Sequence, residues 1–362
     1  MESLGVMNLE GFGIDLSHPS LGSAGAVLIY CQDVLRGKPG NLSRIEELRV
    51  GEAVLLDPAT QRNLEIFKTS SQIRKGSLLD SMDATASAGG ARLLERFLSQ
   101  PERDLNEIKR RQSCVREFAQ LSMVVEEVAG FLRKGSDLER ILGRLRNRLV
   151  RPRELGGLRS TLRNLPGIRT ALKSVGHEYE AILSLVDQLE TYDELAAFLD
   201  KSLEEELPAE IKLDVKGVGG RVIRIGFDEE FDQLRDLASG GKNWILELEA
   251  SEREKTGISN LKVKYNGAFG YFIEVTKANL HLVPGDYIRK QTMTNAERFY
   301  TEELRQKEKE IINAEERAVA KEQEIFAKVV ERALEYADQL AQTAEILAKI
   351  DLFSSWGAIM RD

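Results

Sequence analysis

The sequence predicts a mainly α fold: an elongated helical body with a small antiparallel β module inserted at the tip of long helices. Three observations carry that expectation. Aromatic residues make up only 6% of the chain, so the core must be built mostly of Leu, Ile, Val and Ala, which suits extended helix packing better than one large globule. Residues 301–355 contain neither Gly nor Pro, and their apolar residues recur at helical spacing. Before them, Leu261–Asn266 switches to the period-two alternation of strands, with further strand candidates at Tyr271–Thr276 and Tyr287–Met293.

In chain order, Leu21 to Leu35 (LGSAGAVLIYCQDVL) reads as a helix stopped by Arg36-Gly37-Lys38-Pro39-Gly40. Residues 46–56 are mixed, with strand potential at Ala53–Leu56. So short a piece cannot build its own core, and a preceding domain is expected. Asp57-Pro58 opens the helical region, since Asp caps orphan N–H groups and Pro suits a first turn. A Gly/Ser/Thr-rich patch spans residues 69–90. Helices are expected over Arg92–Ser99, closed by Pro101, and over Leu105–Ala119. Ser136-Asp137-Leu138-Glu139 has capping-box spacing before the next helix. Further helical segments cover Ile168–Ser174 and Glu178–Glu206, the latter ending at Pro208.

Ile211, Leu213 and Val215, and then Val222, Ile223 and Ile225, suggest two short strands joined by Lys216-Gly217-Val218-Gly219-Gly220. A helix resumes near Asp228 and runs to Lys255, with Gly240-Gly241 as a potential irregularity. After the β module, the expected return helix places Leu304, Ile311, Ala314, Ala318, Ile325, Val329, Leu334, Ala337, Leu340, Ala344 and Leu347 on one face. Some 50 residues at about 1.5 Å each would give an arm of about 75 Å.

The β module is the chemical centre of interest. From Lys255 to Thr301 it carries seven Lys/Arg against three Asp/Glu, a balance of +4 within a chain of net charge −8. Leu261, Val263 and Tyr265 share one face of the first strand, and Lys262, Lys264 and Asn266 the other. Asn266-Gly267 signals a hairpin turn, Tyr271–Thr276 the return strand, and Tyr287–Met293 a third strand with Arg289 and Lys290 on opposite faces. The long helix begins after Phe299-Tyr300, with Glu302 and Glu303 at its positive end. A small sheet bearing Lys, Arg, Asn and Thr suits phosphate contacts, which give affinity and salt sensitivity but little sequence information. The same lysines also fit an ordinary solvated strand face.

Other classes find little support. No apolar run is long enough to span a membrane, and no basic segment leads an apolar core at the N-terminus. Cys31 and Cys114 lie far apart, so no disulfide is expected and a reducing cytoplasm is. His18, His177 and His281 lack metal-ligand spacing. Gly217–Gly220 reads as a plain turn, and Ser70, Ser71 and Ser87 lack a nucleophile elbow. The carboxylates of Glu302–Glu335 read as a solvated helix face with i,i+4 pairs. Arg92 reads as a packing anchor, and Phe269 and Tyr271 as sheet packing.

Residues 256–304, TGISNLKVKYNGAFGYFIEVTKANLHLVPGDYIRKQTMTNAERFYTEEL, resemble the clamp region of the bacterial MutS DNA mismatch-repair family. The family pattern there is TGI, LKVGYN, FGYYIEVT, a VP–Y–R–QT stretch and NAERY or NAERF. The resemblance extends along nearly the whole chain. It takes in TQRNLE at Thr60–Glu65, DATASAGGARLL at Asp83–Leu94 with Gly90 and Arg92 in place, DLERI at Asp137–Ile141, PREL at Pro152–Leu155 and QTAEILAKI at Gln342–Ile350 with Asp351. Two positions depart from the pattern. Lys264 replaces the family glycine, and Thr294 stands where lysine is frequent.

The resemblance implies a fragment with four parts: the end of a connector domain (1–56), a first lever/core part (57–241), an inserted clamp (242–301) and a second lever/core part with the long return helix (302–362). By motif position, Asn266, Lys290, Thr294 and Asn295 are the implied DNA contacts, and Lys264, Lys277 and Arg298 join them on charge. The implied partners are double-stranded DNA, a second copy of the chain and a MutL-type protein, and the implied location is the bacterial cytoplasm at the nucleoid. The mismatch-recognition wedge and the ATPase, with its ATP and magnesium, are expected in other parts of the whole protein. No G-x-x-x-x-G-K-[ST] occurs in these residues, so no enzyme activity is expected of this chain. A competing reading is a helical scaffold that docks proteins and binds DNA negligibly by itself.

Overall fold

The structure, a computed structural model, describes residues 19–35, 53–212, 220–266 and 270–361. The first helices are α1 (Leu21–Leu35), α2 (Pro58–Asn63), α3 (Leu78–Met82), α4 (Ala88–Ser99), α5 (Leu105–Ala119), α6 (Ser122–Lys134) and α7 (Leu138–Arg146). They are followed by α8 (Pro152–Lys173), α9 (Glu180–Val186), α10 (Asp193–Ser202) and α11 (Glu229–Thr256). Strands β1 (Lys262–Asn266), β2 (Gly270–Thr276), β3 (Ile288–Thr292) and β4 (Ala296–Tyr300) come next, then α12 (Glu302–Leu334) and α13 (Ala337–Ile359). The described residues are therefore mainly helical with one small antiparallel sheet, as the sequence predicts. The chain divides into two compact units, one of residues 1–150, 157–196 and 332–362, the other of residues 151–156 and 197–331.

The first unit is organised around α13. The second half of this helix is buried nearly all round, while Asp338, Gln339, Gln342 and Glu345 face solvent along the first half. Leu340, Ile350, Leu352 and Phe353 are fully buried, and α13 packs against α4, α5, α6, α7 and α9. One polar joint locks it to α4. The buried Asp351 carboxylate accepts the N–H groups of Ala86 (2.8 Å) and Ser87 (2.7 Å) and the Ser87 hydroxyl (2.5 Å). Burial raises the Asp351 carboxyl above its ordinary value despite these donors. Gly90 faces the same carboxylate so closely that an added Cβ would lie 2.2 Å from Oδ2.

Local expectations fare unevenly in this unit. Asp57 caps α2 through the Ala59 and Thr60 N–H groups, both at 2.8 Å. The cap before α7 is Asp137 rather than Ser136. Asp137 Oδ1 accepts from Arg140 N–H, while the Ser136 N–H turns to Thr161 Oγ1. Asp137 and Glu139 also hold Arg92, which confirms Arg92 as a packing anchor. The strand expected at Ala53–Leu56 shrinks to a single bridge from Ala53 to Glu102. The helix expected at Ile168–Ser174 is the end of the longer α8, which stops at Lys173 and tolerates Pro166 inside it. Residues 178–206 form two helices rather than one, and Glu117 of α5 supplies the cap of α9 by accepting the Ala181 and Ile182 N–H groups. Both cysteines are free, Cys114 buried with its thiol pushed up to about 12 by desolvation.

The expected single return helix is also two, broken at Glu335-Tyr336. No Gly or Pro causes the break. The Tyr336 N–H bonds to the Ala333 carbonyl in a tight turn, and its ring stacks edge-on against Tyr192 at 6.2 Å. Tertiary aromatic packing thus ends a helix that local propensity would continue.

In the second unit, α11, the sheet and the first half of α12 enclose one apolar cluster that includes Ile245, Leu248, Leu261, Ile273, Val275, Phe299, Leu304 and Ile311. Asp228 caps α11, and Gly257 closes it in the left-handed conformation (φ 71°). Gly240-Gly241 does not interrupt the helix. Gly241 instead lets α11 approach α12, where an added Cβ would meet Ile311 at 2.4 Å.

The strand pair predicted over 211–225 is absent among the described residues, where only an isolated bridge joins Ile223 to Leu203; residues 213–219 lie outside them. Glu322 Oε1 takes the Val222 and Ile223 N–H groups at 2.6 and 3.2 Å, so they are not left for a strand ladder. Glu315, also buried, accepts Arg221 on both oxygens at 2.9 Å. Those two glutamates correct the expectation of a uniformly solvated acidic face on α12, which otherwise carries the predicted pairs, such as Lys328 with Glu324 at 2.7 Å.

Candidate nucleic-acid interface

The sheet has strand order β1-β2-β4-β3, all antiparallel. Strand β4 was missed in the sequence, where Asn295–Tyr300 reads as the lead into a helix. It lies between β2 and β3 and completes the sheet. Its inward residues Glu297 and Phe299 are buried, while Ala296, Arg298 and Tyr300 are part-exposed. Alternation sorts the rest. Tyr271, Ile273, Val275 and Phe299 face the helices and are buried, with Tyr287 against Phe299 at 5.9 Å. The Tyr287 hydroxyl donates to buried Glu252 at 2.6 Å, and burial drives its titration far upward.

The opposite face is polar. Register aligns Lys262 with Glu274, Glu274 with Arg298, and Arg298 with Gln291, so these four residues form one row across all the strands. Lys264 lies two residues along β1 and pairs with Glu274 at 2.7 Å. Arg298 stacks over Phe272 at 4.3 Å and donates to Gln291 at 2.8 Å, and its Nε is 3.6 Å from Glu274. Lys264 and Arg298 together hold the Glu274 carboxyl below its usual range, Lys264 contributing most.

The seven residues predicted from the sequence fall into four places. Lys264 and Arg298 occupy the middle of the polar face. Lys264 is 46% exposed and Arg298 only 16%, so the arginine is largely committed to the sheet. Asn266 ends β1 beside the hairpin tip, of which residues 267–269, including Phe269, lie outside the described residues. Lys290 sits at a β-bulge between Arg289 and Gln291, exposed, with its ammonium over the Tyr300 ring at 5.6 Å. Lys277, Thr294 and Asn295 meet at the other end, where the Lys277 N–H donates to the Asn295 carbonyl at 3.1 Å. All three are exposed. Along β2 the two ends are six residues apart, about 20 Å. The set can therefore follow a backbone but cannot converge on one phosphate.

Lys262 lies outside those seven residues, yet it is exposed on the same face with no side-chain partner among the described residues. Its alternation with Lys264 was the available signal. Arg289, by contrast, turns to the other face and pairs with buried Glu297 at 2.8 Å. Among the described residues no group of three or more His, Cys, Asp or Glu could hold a metal ion, and no helix is long and apolar enough to cross a membrane.

The family model described as MutS domain III matches residues 59–357. The chain belongs to the MutS family. Over 359 residues it is 37% identical to the DNA mismatch repair protein MutS of Symbiobacterium thermophilum, covering 99% of this chain and 40% of that protein. It is 39% identical over 349 residues to the MutS of an Anaeromyxobacter species, covering 96% of this chain and 39% of the relative. The MutS of Methanothrix thermoacetophila is 37% identical over 330 residues, 91% of this chain and 38% of the relative. The chain thus spans about 40% of the length of the curated MutS relatives it matches. Within that span, the four-stranded sheet coincides with the clamp-like string of the sequence, residues 256–304.

Proposed function

We propose that this chain is the DNA-embracing portion of a MutS mismatch-repair protein. The clamp (242–301) holds duplex backbone, and the lever segments (57–241 and 302–362) link it to an ATPase carried elsewhere in the whole protein, where ATP and magnesium would act. The observation that supports this reading is a polar sheet face, with its adjoining turns, in which exposed Lys264, Lys277 and Lys290 alternate with Asn266, Thr294 and Asn295. Ammonium, amide and hydroxyl groups satisfy phosphate oxygens without reading bases. Arg298 serves this surface more as a strut than as a contact, because its guanidinium is engaged by Phe272 and Gln291. A second copy would complete the ring around DNA, and a MutL-type protein would act downstream. Cytoplasmic, nucleoid-associated placement follows from the same reading.

The test is binding of a fluorescent duplex by the 362-residue chain across a salt series. Matched and mismatched duplexes should bind equally. Lys290→Glu combined with Asn295→Asp should weaken binding by about tenfold or more and flatten the salt slope by about one unit. Unchanged affinity and slope would remove this contact assignment, and no binding by the wild-type chain at low salt would favour a scaffold.

A further inference from the structure

The polar face of the sheet already contains an anion at its centre. Glu274 is the sole carboxylate in the register row Lys262, Glu274, Arg298 and Gln291, and it is flanked on both neighbouring strands by cations. Its Oε1 lies 2.7 Å from Lys264 Nζ and its Oε2 lies 3.6 Å from Arg298 Nε. The side chain is 23% exposed, so water and ligands reach it. The Arg298 Nε is itself buried without a hydrogen-bond partner, because 3.6 Å is too long for a bond. Two cations and an aligned third thus surround one carboxylate, and one of them is left short of an acceptor.

We infer that Glu274 is a built-in competitor for the phosphate backbone, occupying the place of an anion on the clamp face and weakening the grip of the clamp. This inference rests on the proposed DNA-binding reading. Its physical basis is charge compensation. A phosphate near Lys264 must share that exposed cation with Glu274 and bear its repulsion at close range. A clamp weakened in this way would release and slide more readily than an all-cationic face. The ligand class is a phosphodiester backbone, and the regulated quantity is residence on it.

The test is duplex binding and dissociation by the full chain as wild type, Glu274→Gln, Lys264→Gln and the Glu274→Gln/Lys264→Gln double variant. Glu274→Gln keeps the size of the side chain and an acceptor for Lys264 and Arg298. It should tighten binding by about fivefold, slow dissociation, and steepen the salt slope by about one unit as a freed cation takes up phosphate. The gain should shrink in the double variant. Circular dichroism melting of each variant reports whether the sheet stays folded. If the folded Glu274→Gln chain binds DNA no tighter than wild type while the Lys290→Glu/Asn295→Asp variant still loses affinity, the competitor role falls and the clamp reading stands. If Glu274→Gln does not fold, Glu274→Lys in a Lys264→Glu background, which swaps the pair, should restore wild-type affinity; failure to restore it also overturns the inference. If none of these substitutions moves DNA affinity, the clamp reading itself fails.

Discussion

Single side chains in this protein act mainly by satisfying backbone groups that secondary structure leaves open. Asp351 does so for α4, Glu117 for α9 and Glu322 for the segment at Val222-Ile223. Each is an acid supplied from a distant part of the chain, and an unpaired buried N–H is costly enough to make these joints matter. Charge pairs add a pH dependence. Glu107, in the first turn of α5, is held at about 2, chiefly by its hydrogen bond to Arg110 and then by Arg111. Its folded value is depressed, so the stability it contributes is present above the ordinary glutamate range and is lost as pH falls towards about 2. Glu107→Gln should therefore be less stable than wild type at neutral pH, by about 1 kcal/mol or less because the site is partly solvated, with the gap closing near pH 2. Urea melts at a series of pH values would measure this. A gap that persists at pH 2 would place the effect in packing rather than charge.

At the scale of elements, helices with an unbroken pattern and clear stops were legible and their joints were not. Leu21–Leu35 and Leu105–Ala119 were read to the residue, because Gly/Pro punctuation or an Asp cap bounds an unbroken helical pattern. The turn at Glu335-Tyr336 was not legible, since the aromatic ring that stabilises it, Tyr192, lies far away in sequence. Strand β4 was hidden for a related reason: Ala296–Tyr300 is a strand because β2 and β3 flank it. The glycine pair of α11 offers a contrast. Gly240 faces open space, so Gly240→Ala should stabilise the protein by about 0.5–1 kcal/mol through helix propensity. Gly241→Ala should destabilise by about 1–3 kcal/mol, because its methyl would meet Ile311. Thermal unfolding of the two variants should shift in opposite directions.

At the scale of the whole molecule, the inserted sheet shares its core with the end of α11 and the start of α12, whereas α13 gathers the core of the other unit. Replacing residues 257–300 with a short linker should preserve the unit built on α13. It should expose the surroundings of Trp244, which packs against the sheet cluster, and shift its fluorescence to the red. A chain that becomes wholly molten would show that the sheet is needed for both units. The candidate interface was legible in part. Alternation put Lys264 with Lys262 on one face, and the motif string drew attention to Lys290, Thr294 and Asn295. The sequence by itself determined the helical class, the β insertion and the family, because periodicity, caps and a long motif are local properties. Tertiary structure alone decided that Arg298 is engaged, that Arg289 pairs with Glu297 of the other face, that Glu315 and Glu322 are buried, and that Glu274 sits among cations. Those outcomes depend on which strand or helix comes alongside, and no local pattern encodes the neighbour across a sheet.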